Sequence, residues 1–415
     1  MIDILYNGIF LAIVLLWVLS LRSRGLGRVV AVLKRWAPAI TMALWVVFAA
    51  FLVWYVLNFE HFEEIHDIDD AVETAVLSAT SDINPYEEYV IPRFKGKYWI
   101  GVDWTLGPYN YMPLDLVVYI GAEAALGFLG APYWFVAANM LFAGLAMVLL
   151  RDLTRTPWLP FVPLAGTVVL FYSMDNASLT LLLMTGSIFV LHKVEDHAEP
   201  LALIIMGLAI LTKVYAAIPF LVMLLYFSQS SAASREWRRL AEVAVATGIV
   251  AAVALLVMLP FGVDNVLEAA VFFHTSDDSR VGTSSGGTLL SEIALESQYF
   301  ALIGAGLTVA AVVAGLWARS MNDRVMLVMV TFLAIAVKSS LAPLTVAGLF
   351  LALGLVVLSA LLVCLLIGTA FLGAFVSLDL SRPVIGMFVL SIGALTICLL
   401  SFLRAVFRLT NIRGA

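Results

Sequence analysis

Charge is scarce in this chain of 415 residues: 13% are Asp, Glu, Lys or Arg, 63% are hydrophobic, and mean hydropathy is +1.03. Soluble domains carry about 25% charged and about 45–50% apolar residues, so a soluble fold is excluded. Cysteine is rarer still. The two present, Cys364 and Cys398, both sit in apolar runs, which rules out a disulfide scaffold and a CxxC metal site. Basic residues number 23 against 29 acidic ones, for a net charge of −6, and that balance argues against a nucleic-acid partner. The first apolar segment, Ile4–Ser20, lacks both a preceding positive residue and an A-x-A-like site, so it predicts a retained helix and not a cleaved signal.

What fills the chain instead is long apolar runs, and roughly 20 such residues span a bilayer core. The pattern predicts an all-α polytopic membrane protein. Apolar segments fall at 4–20, 37–57, 111–130, 132–150, 158–173, 176–191, 201–212, 214–227, 240–260, 299–317, 325–337, 341–357, 358–377 and 386–403. Arg and Lys mark cytoplasmic loops. They gather at Arg22, Arg24, Arg28, Lys34 and Arg35, then at Arg235, Arg238 and Arg239, at Arg319 and Arg324, and at Arg404, Arg408 and Arg413. The N-terminus is then outside and the C-terminus cytoplasmic, which requires an odd number of crossings. Fourteen segments exceed that by one. Segment 111–130, which carries Asp115 and Glu123, is expected to be the partial one. Two sizeable loops remain outside, an acidic one at 58–109 and a second at 261–298 containing the flexible run "GTSSGGT".

The first loop contains "HDIDDAVETAVLSATSDINPY" (His66–Tyr86). Within it Val72, Ala75, Val76 and Ala79 recur at i, i+3, i+4 and i+7, so 67–80 reads as an amphipathic helix lying in the membrane interface. Asp67 is placed to cap its N-terminus, Asp69 projects at the edge of the apolar face, and Asp70 projects to the wetter side. A partly desolvated carboxylate is more basic, which suits Asp69 to a general base acting on a hydroxyl. The competing reading is a solvated acidic face with a cap. Further along, "TLGPYNYMPLDLVVY" re-enters the membrane, and "LTKVYAAIPFLVMLLYF" places Lys213 alone in a short hairpin. An ionisable residue in membrane sequence is a functional candidate, with snorkelling to the interface as its alternative.

These marks, in this order and on this side, resemble the GT-C membrane glycosyltransferases, and most of all the branch of alpha-mannosyltransferases that use polyprenol-phosphate-mannose. That family shows an Asp followed by an aromatic, then G-x-x-P-Y, then Y-x-P-P-L. Here the Asp is Asp69 or Asp70, the turn is Asn84-Pro85-Tyr86, the re-entry is Tyr111-Met112-Pro113-Leu114, and Lys213 matches the hairpin lysine. Glu73, Ser81 and Met112 depart from the family pattern, and an additional helix precedes the usual first one. The resemblance covers about residues 37–230.

It implies a GT-C-like bundle with about 13 transmembrane helices. Residues 1–36 form an additional helix and basic loop, 37–230 the catalytic module with loop 58–109, and 231–415 a C-terminal module with loop 261–298. It also implies inverting transfer of a hexose, mannose above all, from a polyprenyl-phosphate donor to a hydroxyl of a glycan, glycolipid or glycoprotein at the external face. Asp69, with Asp70 beside it, supplies the base. A cation stabilises the leaving phosphate, from Lys213, Lys338, Arg93 or Arg280, with His274 a weaker candidate. Tyr86, Tyr111, Asp175 and Asn176 are expected to contact substrate. No cofactor is required, although Asp67, Asp69 and Asp70 offer hard oxygen ligands to Mg²⁺ or Mn²⁺. The rival functions are a lipid-linked glycan flippase and an assembly subunit. The first predicts inverted repeats and mid-membrane charge, neither of which is apparent, and the second leaves Lys213 unexplained.

Overall fold

A computed structural model describes residues 67–88, 90–95, 103–155, 158–173 and 175–272, with isolated positions at 39, 42, 46, 49, 52, 53, 321 and 325. The chain divides into two compact units, one of Met1–Trp54, Thr156–Thr167 and Asp278–Ala415, the other of Tyr55–Arg155 and Val168–Asp277. In the first, the described residues are the isolated positions, apart from the start of one helix. The second holds nearly everything that follows.

The elements in order are α1 (Asp67–Thr80), β1 (Ile91–Lys95), β2 (Asp103–Gly107), α2 (Pro113–Leu126), α3 (Tyr133–Thr154), α4 (Trp158–Tyr172), α5 (Ala177–Lys193), α6 (Ala198–Ile210), α7 (Ala217–Ser234), α8 (Trp237–Met258) and the short α9 (Val263–Leu267). α1 begins and ends where its apolar period does, and buries Val72, Ala75 and Val76. One correction to an all-α chain is required. β1 and β2 pair antiparallel, Ile91 opposite Gly107 and Lys95 opposite Asp103. Five-residue strands this short give too brief an alternation to stand out in a loop rich in charge.

Three described stretches are long and apolar enough to cross a membrane: Tyr133–Leu153, Val214–Ser234 and Trp237–Phe261. α2 is not. Its 14 residues rise about 21 Å, short of a bilayer core of about 30 Å. It is started by Pro113 at its first turn, and α5 and α6, at 17 and 13 residues, are likewise below the length of those three stretches. The full count of crossings, and both chain ends, lie outside the described residues.

α6 is the centre of the bundle, packed against α5, α7 and α8. Ser187 of α5 donates to the Ala202 carbonyl at 2.7 Å. At one end of the bundle stand Arg151, Lys193, Arg235, Arg238 and Arg239, cross-linked by Lys193–Asp152 at 2.6 Å, by the two-pronged Arg239–Glu199 pair, and by Arg239–Glu236 at 3.2 Å. At the other end α1, the hairpin and α2 close over a core of Tyr86, Ile91, Tyr109, Leu116, Tyr119, Trp134 and Phe135.

α6 and α8 touch backbone to side chain at Gly207. A Cβ there would overlap both γ-methyls of Val250 and lie 3.0 Å from its Cβ. Gly207→Ala is expected to cost about 1–3 kcal/mol by overpacking. Adding Val250→Ala should make the double variant less unstable than the sum of the singles. Thermal unfolding in detergent checks both; additive costs would refute the contact.

Candidate functional site

The polar end of the bundle is built from the breaks between helices. α6 stops at Ile210, and the Thr212 and Lys213 amides both turn back to the Ala209 carbonyl, at 3.2 and 3.0 Å. The Thr212 hydroxyl bonds that same carbonyl at 2.7 Å and the Thr180 hydroxyl of α5 at 2.8 Å. Lys213 then leaves in extended conformation before α7 begins. Gly207, the contact with α8, lies three residues before α6 ends, whereas Val250 lies eight before α8 ends (210−207 and 258−250). The end of α6, from which the Lys213 turn leaves, is thus recessed by five residues, about 7.5 Å at helical rise.

The recess holds the cation in an acidic and aromatic cage. Lys213 Nζ stands 4.0 Å from Asp175 Oδ1 and 3.9 Å from the centroid of the Tyr111 ring, with side-chain exposures of 14% for the lysine and 17% for the aspartate. Such a geometry holds an ammonium by charge and by the ring's quadrupole together. Asp175 is itself fixed, since its Oδ1 accepts the Ala177 amide at 2.8 Å where α5 starts.

Beside this cage lies a carboxylate that is entirely buried. Asp115, in the first turn of α2, has 0% exposure. Its Oδ2 accepts the Tyr109 hydroxyl at 2.7 Å and the Asn176 side-chain amide at 2.8 Å. Burial pushes the Asp115 carboxyl up to about 7, while the Lys213 charge and the bonds from Tyr109 and Asn176 pull it down. The start of α2 is also tied to the lysine turn directly, the Leu114 amide bonding the Leu211 carbonyl at 3.0 Å.

A ladder of tyrosines completes the wall. Tyr86, Tyr109 and Tyr111 stack edge to face, with centroids 5.6 Å apart for Tyr86–Tyr109 and 5.3 Å for Tyr109–Tyr111. Tyr86 donates to the Tyr111 carbonyl at 2.9 Å, and the Tyr109 amide bonds the Pro85 carbonyl at 2.6 Å. Asn84 shapes the turn by accepting the Tyr86 amide at 3.1 Å. Its own amide donates to the Phe261 carbonyl, at 2.8 Å, beyond the end of α8.

Tyr86, Tyr111, Asp175, Asn176 and Lys213, expected as contact residues, therefore stand together. Tyr109 and Asp115 join them without having been expected as site residues. An aspartate in an apolar run was the available signal for Asp115. For Tyr109 there was none beyond a tyrosine-rich re-entry. Asp69 is turned into the packed side of α1 at 3% exposure, and Asp70 is exposed. Burial and the charges of Asp70 and Glu123 hold Glu73, on the same helix, above the usual carboxylate range. Among the described residues no three acidic, His or Cys side chains are grouped to hold a metal ion. Asp67 heads α1 and Arg93 lies on β1, while His274, Arg280 and Lys338 fall outside the described residues.

The fold and site define an α-helical membrane protein with a recessed, charged and tyrosine-lined site at one end of its bundle. No protein-family model matches the chain, and no curated protein matches it. A similar solved structure is the crystal structure of ArnT from Cupriavidus metallidurans bound to undecaprenyl phosphate. It is 16% identical over 90% of this chain and 78% of that one, at a TM-score of 0.41.

Folding raises the Asp115 carboxyl above its ordinary 3.8, so the native state holds this proton more tightly than the unfolded chain. The sign follows from linkage: stability from this group is full below about 4 and is lost as pH rises toward and past 7. Thermal melts in detergent between pH 4 and pH 8 should show this fall, and Asp115→Asn should flatten it. An unchanged slope in the variant would remove Asp115 as its source.

Proposed function

We propose that this protein is a GT-C-type glycosyltransferase that moves a hexose, mannose being the expected one, from a polyprenyl phosphate to an acceptor hydroxyl, with inversion. The observation that carries the reading is the cage around Lys213: a cation recessed in apolar sequence and held between Asp175 and the face of Tyr111. A group of that kind suits a phosphate that must be bound and then released as a leaving group. The sequence motifs Asn84-Pro85-Tyr86 and Tyr111-Met112-Pro113-Leu114, met independently, form the wall of that same cage.

The basic end of the bundle is cytoplasmic in this reading and the site faces outward, with the N-terminus outside and the C-terminus inside. The lipid tail lies along the apolar helix surface while its phosphate rests on Lys213. Asp69 accepts the proton of the acceptor hydroxyl, whose oxygen attacks the anomeric carbon from the face opposite the phosphate. The bond from that carbon to the phosphate oxygen breaks, and Lys213 offsets the charge that develops there. Asp69, on the packed side of α1 at 3% exposure while Asp70 is exposed, is the base assigned in this reading. The acceptor is a glycan, glycolipid or glycoprotein.

Transfer from polyprenyl-phosphate-mannose by purified protein tests the assignment. Asp69→Asn should lower the rate about 10²–10⁴-fold, the usual worth of a general base, with an unchanged melting temperature. Asp70→Asn should stay near wild type. Equal effects of the two substitutions would overturn the choice of base. Activity that requires Mn²⁺ or Mg²⁺ and disappears with chelator would move the chemistry to a cation at Asp67, Asp69 and Asp70.

A further inference from the structure

Asp115 and Asn176 leave a second feature of the site unused. Both side chains have 0% exposure, and a hydrogen bond from the Asn176 amide to Asp115 Oδ2 joins them at 2.8 Å. Their other oxygens, Asp115 Oδ1 and Asn176 Oδ1, have no hydrogen-bond partner among the described residues. The amide orientation is not arbitrary. With Asp115 ionised, flipping Asn176 would set its oxygen against the carboxylate and lose the bond, so the free atom of the asparagine is then an acceptor. Two buried acceptors therefore stand no further apart than one hydrogen bond and the widths of two small planar groups. Buried polar atoms of this kind carry a desolvation cost of about 1–3 kcal/mol each, which a ligand that donates to both would recover.

The surroundings narrow the ligand. A cationic ligand would meet Lys213, which already acts electrostatically on Asp115. A ligand bearing phosphate alone has no donors to offer. What suits two acceptors next to a phosphate-binding lysine is a neutral group rich in hydroxyls, attached to that phosphate. We infer that Asp115 and Asn176 form the sugar-reading subsite, accepting hydrogen bonds from two hydroxyls of the lipid-linked sugar and selecting donors that carry both. This rests on the lipid-linked sugar reading given above and adds to it the residues that choose the sugar. Tyr109, which donates to Asp115 Oδ2, acts as a positioning residue, engaging that oxygen and leaving Oδ1 for the ligand.

Two measurements on the full-length protein test this. The first compares binding of farnesyl-phosphate-mannose with that of farnesyl phosphate, by thermal stabilisation. Wild type should bind the sugar-bearing lipid at least tenfold more tightly, and Asp115→Asn should narrow that difference several-fold. The second measures kcat/KM with the 2-, 3-, 4- and 6-deoxy analogues of the mannose donor. A site built to bond a hydroxyl rejects an analogue that lacks it, so wild type should lose at least tenfold with two of them. Asp115→Asn should suffer a similar loss with the parent sugar and no further loss with one of those analogues. Asn176→Ala carries the same expectation for the other and serves if Asp115→Asn does not fold. Equal binding of sugar-bearing and bare lipid by wild type, or an unaltered deoxy profile in folded variants, overturns the subsite. Tighter sugar binding that each variant weakens, without any transfer by wild type, leaves the subsite standing and removes the transferase reading instead.

Discussion

The architecture of the polar end turns on one buried carboxylate. Asp115 cannot keep a charge out of water without donors and a nearby cation, because the desolvation cost is several kcal/mol. Meeting that demand fixes the relative positions of three stretches that are far apart in sequence. Tyr109 comes from the turn after β2, Asn176 from the start of α5, and Lys213 from the break between α6 and α7. The tyrosine ladder then follows, since Tyr109 is anchored at its hydroxyl and Tyr86 and Tyr111 pack on either side of it. A substitution at Asp115 would be felt at all of these points together.

The helical layout was legible because membrane sequence is simple to read. Long apolar runs and basic loops locate α3, α5, α6 and α8 to within four residues, α7 runs seven residues past its expected end, and a clear 3.6-residue period gives α1 from Asp67 to Thr80. The site was legible where rarity marked it. Lys213 and Asp175 are charges at the ends of apolar segments, and Tyr86 and Tyr111 sit in proline turns. Asp115 was visible as a charge in segment 111–130, but it was used only to explain why that segment fails to cross. Its role depends on partners at positions 109, 176 and 213, and nothing in local pattern foretells such pairing. The β1–β2 hairpin escaped for the opposite reason: its register is set by its partner strand, while five residues alone carry little period.

The helices differ in length in a way that creates the recess. α8 has 22 residues and α6 has 13, yet the Arg239–Glu199 pair holds their starts together at the basic end. The shorter helix therefore ends first, and its last turn opens where the longer helices still provide apolar walls. Thr180 and Thr212 close the floor with a bond between their hydroxyls, and Thr212 bonds the Ala209 carbonyl as well. A polar site below the rim is thus a product of unequal helix lengths, not of an inserted domain.

The bond from Asn84 to the Phe261 carbonyl spans 177 positions of sequence. Chains grow at about 5–20 residues per second, so the Asn84 turn waits roughly 10–35 s for its partner to be made. Over that interval α1, the hairpin and α2 can already pack on one another, while the tether at the end of α8 does not yet exist. The Asn84 turn is therefore the last part of this end of the bundle to be fastened, and its exposed neighbours Asp82, Glu87 and Glu88 favour water until then.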